Sequence, residues 1–109
     1  MAQFDVHANK GKQRDAIPFV VVVQSSFFDA YHRRVVVPLA RTTVTSGKRS
    51  ATGARLNPIF RIRNTDVTLH PLQVVSVAFE ELGPKVSSLA EHGQAITDAL
   101  DEVFSRSWG

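Results

Sequence analysis

Two short runs of β-branched residues, FVVVV at Phe19–Val23 and VVVPL at Val35–Leu39, constrain this chain more than any other feature. Side chains branched at Cβ are stiff at χ1, which suits the pleated surface of a strand, and runs this short fall below the length of a buried helix. Both segments are expected to be central strands. QFDVH, Gln3–His7, alternates Phe4 and Val6 with polar residues, the period-2 signature of a half-buried strand, and ANKGKQRDAI follows as a polar loop. IFRIR, the turn NTD and VTLHP read as a hairpin with one basic face. LQVVSVAFEEL supplies a further strand after Pro71 marks an edge or bend. The Thr-, Ser- and Gly-rich run from Leu39 to Pro58 reads as a weak strand at Thr42–Thr45 followed by a long mobile loop.

The last third changes period. Val86, Leu89, Ile96, Leu100, Val103 and Phe104 recur at three- and four-residue steps, so the segment after Gly83-Pro84 is expected to be an amphipathic helix, most clearly from Ala90 to Ser105. Its apolar stripe needs a surface to lie on, and the preceding strands are the available one. The expected fold is a mainly β, small antiparallel barrel or sheet with a C-terminal helix, formed by residues 1–109 as one domain.

Apolar residues make up 43% of the chain and charged residues 21%, which fits a globular core and argues against disorder throughout. No apolar run reaches a membrane span and the N-terminus lacks a signal-like apolar segment, so a cytoplasmic protein with no membrane partner is expected. The absence of cysteine excludes disulfides, Cys-ligated zinc and thiol nucleophiles.

Charge is uneven along the chain. Residues 1–63 carry 11 Lys and Arg against 3 Asp and Glu, and residues 64–109 carry 2 against 7. A basic surface attracts nucleic acid or an acidic peptide; the alternative is a solvated face that keeps the protein soluble.

Motifs for chemistry are sparse. His7, His32, His70 and His92 stand singly, without metal-ligand spacing, and read as ordinary surface or interface histidines. TSGKRSATG departs from the phosphate-loop pattern, and Ser25 and Ser26 lack a nucleophile-elbow setting. Arg33-Arg34 beside His32 has the residue types of a metal-independent ribonuclease, against the plainer reading of a solvated strand edge. No catalytic residue, metal or cofactor is expected. SSFFDAYH places Phe27, Phe28 and Tyr31 in a connection, where rings either face solvent or plug a barrel end.

At the level of whole segments the chain resembles the CcdB family. FVVVVQSSFFDAYHRRVVVPL, Phe19–Leu39, is similar to that family's run of an apolar strand ending in Val-Gln-Ser, a short link with apolar residues and Asp, then Arg and an apolar strand to Pro-Leu. The opening Gln-Phe, LNPIFRI, Ser76-Val77, Gly83 and the Ile-x-x-Ala-Leu core at Ile96–Leu100 match in the same order. The resemblance implies an SH3-like antiparallel β-barrel with a C-terminal amphipathic helix, assembled as a homodimer. It implies a toxin of a toxin–antitoxin module that binds the A subunit of DNA gyrase and traps the enzyme on cleaved DNA, with no substrate turned over. By position, the implied gyrase-binding residues are Ser25, Phe27, Phe28 and Asp29 in the link, Asp101 on the helix, and Trp108 and Gly109 at the end. A CcdA-type antitoxin, whose acidic segment folds onto the dimer, is the implied neutralising partner. Lys10, Lys12, Arg14, Lys48 and Arg49 are the expected contacts for that segment. DNA is met only indirectly, through the antitoxin in autoregulation or through gyrase.

Two departures stand out. Ser105-Arg106-Ser107 intervenes between Phe104 and Trp108 where the family pattern has Trp-Gly directly after Phe, which on a continuing helix moves the ring by roughly 4.5 Å and about 300°. Trp108 then either meets a partner or packs on the apolar stripe. Gly93 occupies a position where family helices often carry a carboxylate. The same barrel is shared by MazF/Kid-type endoribonuclease toxins, for which His32, Arg33 or Arg34 are the candidate groups. A non-toxic, antitoxin-binding relative is the third reading.

Overall fold

A computed structural model describes residues 2–42 and 55–104 of the chain. The two β-branched runs form strands β2 (Phe19–Val22) and β3 (Arg33–Arg41), which pair antiparallel from Phe19↔Leu39 to Val22↔Val36. Strand β1 (Asp5–Asn9) pairs with β2, so both runs lie inside the sheet as their apolar density requires. The hairpin consists of β4 (Ile59–Ile62) and β5 (Thr65–Leu69), and two further strands are β6 (Val75–Ala78) and β7 (Leu82–Ser88).

The sheet order is β4-β5-β3-β2-β1-β7, with β6 branching from β3. On one edge β3 is shared: its first half pairs with β6 (Arg33↔Ala78 to Val36↔Val75) and its end with β5 (Leu39↔Leu69 to Arg41↔Val67). Pro38 falls in the interval between those partners, where its missing N–H interrupts neither ladder, and its carbonyl accepts from His70 N–H at 3.1 Å. Branching at this point curls the antiparallel sheet into a half-barrel with a C-terminal helix packed on it, the architecture expected of an SH3-like barrel with a C-terminal helix.

The helix, α1 (Gly93–Phe104), follows a 3₁₀ turn at Ala90–His92. Ile96 and Ala99 are fully buried against Val6, Val21, Val37, Leu39, Ile62, Val67 and Leu69, forming one core. Each of the Val, Leu and Ile side chains among them contributes about 1.5–3 kcal/mol of apolar burial.

The helix begins later than the periodicity suggests. The residues after Gly83-Pro84, expected to open it, belong through Ser88 to strand β7 (Leu82–Ser88), Val86 among them. LGPKVSS is poor in β-formers, but β7 is an edge strand, where Pro84 is tolerated. Its pairing with β1 carries two irregularities and is reinforced by side chains: Lys85 Nζ lies 3.3 Å from Asp5 Oδ1, and the His7 Nδ1–H donates to Gly83 O at 2.9 Å. His7 is accordingly buried within the domain, in contrast to the surface or interface position expected for it. A Cβ on Gly83 would lie 2.5 Å from Ala8 O, so glycine there permits the close approach of the two strands.

Gly93 is a packing requirement. It is buried, and a Cβ there would sit 2.6 Å from Phe4 Cε2. Phe4 adopts a positive φ of 70°, with its N–H bonded to Val22 O and its carbonyl accepting from Leu89 N–H. At the other end the stripe runs out: Phe104 is 70% exposed. The expected strand at Thr42–Thr45 lies, beyond Thr42, outside the described residues, as does most of the loop expected after it. Among the described residues no helix is long and apolar enough to cross a membrane.

Candidate functional site

The connection between β2 and β3 carries the most distinctive surface. Ser25 caps a 3₁₀ turn at Ser26–Phe28, its Oγ accepting from Phe27 N–H at 3.2 Å. Phe28, Asp29 and Tyr31 N–H groups donate to the carbonyls of Ser25, Ser26 and Phe28. Gln24 ties the turn to β3, its Nε2 donating to Phe28 O at 3.3 Å and its Oε1 accepting from Val35 N–H at 3.1 Å.

This turn projects its rings into solvent. Phe27 is 83% exposed, Phe28 about half and Tyr31 66%, so the rings face outward rather than plugging the barrel. Phe27 and Phe28 pack edge to face at 5.2 Å, and Phe28 and Tyr31 stand 6.1 Å apart. Beside them lies a mostly apolar concavity of about 460 Å³ lined by Val23, Ser25, Phe28, Tyr31, Arg33 and Val35. An exposed aromatic cluster next to an apolar hollow has the composition of a protein-binding hot spot.

Four of the expected gyrase-binding residues, Ser25, Phe27, Phe28 and Asp29, are thus brought together on one turn. Asp101 comes from a different element, α1, where it is half-buried; Arg55 bonds its neighbour Glu102 at 3.0 Å. Trp108 and Gly109 lie outside the described residues.

Arg33 and Arg34 divide. Arg33 is exposed and donates to Ser76 Oγ at 2.8 Å and Ser76 O at 2.7 Å. Arg34 is only 5% exposed. Its Nη1 donates to Tyr31 O and to Arg33 O (3.0 Å), its Nη2 to Asp29 O (3.0 Å), and Nε faces Asp29 Oδ1 at 3.9 Å. The Phe79 ring covers the guanidinium at 5.0 Å. A group held in this way is not presented to a phosphate, which removes one of the three residues that ribonuclease chemistry would draw on. The role of Arg34 was foreshadowed only by phase: on a strand, position 34 shares a face with Val36.

The second surface is the β1–β2 loop, where Lys10, Lys12 and Arg14 are exposed together. The loop is braced by Asn9 Nδ2 donating to Ile17 O (2.7 Å) and by Arg41, whose Nε donates to Asp15 O (2.7 Å). Lys10 Nζ donates to Glu80 O at 3.3 Å across a cleft of about 510 Å³ floored by Val20, Val36 and Val77. Glu80 and Glu81 on its rim bring acidic residues of the second half beside the basic loop, which the charge count along the chain did not anticipate. Lys48 and Arg49 lie outside the described residues. Among the described residues no three His, Cys, Asp or Glu side chains gather as a metal set.

A family model described as CcdB protein matches residues 3–105, from the lead-in to β1 through the helix.

Proposed function

The chain belongs to the CcdB family and so is the toxin of a toxin–antitoxin module, and from that premise we propose that its target is the A subunit of DNA gyrase, which it traps on cleaved DNA. The observation that carries this reading is the Ser25–Asp29 turn, which presents Phe27 and Phe28 to solvent at the position where the family resemblance sets the gyrase contact. Flat rings on a hydrogen-bonded turn lose little conformational freedom on binding and desolvate a large area. Asp101 on α1, and Trp108 and Gly109 beyond it, complete the proposed contact.

The protein acts by binding, with no residue in a catalytic role and no cofactor. It works in the cytoplasm as a single-domain homodimer. A CcdA-type antitoxin neutralises it, the acidic segment lying along Lys10, Lys12 and Arg14 and reaching Lys48 and Arg49. DNA enters only through that antitoxin or through gyrase.

Expression without the antitoxin tests the reading. DNA breaks and an SOS response are expected. RNA decay over intact chromosomes would replace it with the ribonuclease reading, and normal growth with a non-toxic, antitoxin-binding scaffold.

A further inference from the structure

We propose that Arg34 is the positioning residue of the aromatic link, fixing Phe27, Phe28 and Tyr31 in the arrangement that a protein partner meets; this rests on the reading that the link faces gyrase. Besides the Ser25 Oγ cap on Phe27 N–H, the link's own hydrogen bonds are three local turn bonds, Phe28 to Ser25, Asp29 to Ser26 and Tyr31 to Phe28, of a kind that does not hold short segments rigid by itself. Gln24 ties Phe28 O to the Val35 N–H of β3, and what reaches the Asp29 and Tyr31 carbonyls is the Arg34 guanidinium, which also bonds Arg33 O.

Burying a cation is unfavourable for stability alone, and an apolar side chain on the Val36 face would fill the space with less desolvation. An apolar side chain does not, however, bond three carbonyls at once. A guanidinium does, because its donors form a rigid fork, and the Phe79 ring lies 5.0 Å from it. Lysine keeps the charge but offers a rotating point donor in place of the fork. The role is geometric, so charge alone does not restore it.

The test uses the full-length protein carrying Arg34→Lys or Arg34→Met, with Phe79→Leu as a milder variant that keeps the guanidinium and removes its cover. Three quantities are read: amide hydrogen exchange at Phe28, Asp29 and Tyr31, affinity for the gyrase A subunit, and affinity for an acidic antitoxin segment, which also reports that the variant is folded. Arg34→Lys is expected to speed exchange of the three link amides at least tenfold and to weaken gyrase binding at least tenfold. Its affinity for the antitoxin segment should stay within about threefold, and Phe79→Leu should fall between it and the parent. Unchanged exchange, or unchanged gyrase affinity with faster exchange, overturns the proposal. Phe27→Ala measured alongside separates the two claims: if it binds gyrase as tightly as the parent, the link is not the gyrase contact, and the exchange data still decide whether Arg34 holds the link.

Discussion

Phe27 and Gly93 show how differently two residues of one chain are constrained. Phe27 places its ring in water on a short turn, so its removal changes little in the fold: Phe27→Ala should keep thermal stability within about 1 kcal/mol of the parent. The same substitution should weaken gyrase binding by about 1–3 kcal/mol, the scale of an aromatic anchor, as read by titration calorimetry. Gly93 is the reverse case. Alanine is the better helix former by about 1 kcal/mol, yet its Cβ would press on the Phe4 ring, which is packed at the core edge beneath a backbone tied at both ends. Gly93→Ala should therefore destabilise the protein by about 1–2 kcal/mol in denaturant unfolding, the usual scale of overpacking offset by propensity. The sequence marked Phe27 as unusual because loops seldom carry paired rings. It could not reveal why Gly93 is glycine, because the ring that requires it lies 89 positions away.

Among the elements, those whose side chains decide their own conformation were legible and those decided by a partner were not. The runs around Val21 and Val36 become strands because branched side chains favour the pleat, and Ile96 with Leu100 marks the helix by period. Strand β7 has no such signal: Gly83, Pro84 and two serines give it little β preference, and it is a strand because β1 offers an edge stitched by Asp5–Lys85 and His7–Gly83. The hairpin was legible, but its turn sits one residue earlier than NTD suggests. Arg63 and Asn64 take positive φ values of 48° and 65°, the pair demanded by a type I′ turn. Arginine is a poor occupant of that conformation, so Arg63→Asn should raise stability by about 0.5 kcal/mol, measurable as a higher denaturation midpoint with an unchanged m-value. A loss of stability would mean that the Arg63 side chain makes a contact worth more than the strain.

Over the whole molecule, charge along the chain and charge in space are different quantities. Arg61 pairs with Asp66 and Arg55 with Glu102, and Arg34 is buried beside Asp29, so part of the basic first half is neutralised locally. What remains concentrated in the described residues is the β1–β2 loop with Lys10, Lys12 and Arg14. If that loop steers an acidic antitoxin segment, raising salt from about 50 to about 500 mM should slow association several-fold by stopped flow, and Lys12→Glu with Arg14→Glu should slow it at low salt. An on-rate indifferent to salt would make the loop a bystander. The most direct measurement of the central claim is purified protein added to gyrase, supercoiled plasmid and ATP, compared with its Phe27→Ala/Phe28→Ala variant. Linear plasmid should accumulate with the intact protein and fall sharply with the variant; no linear plasmid from the intact protein, or equal amounts from both, would contradict a poison that works through this aromatic turn.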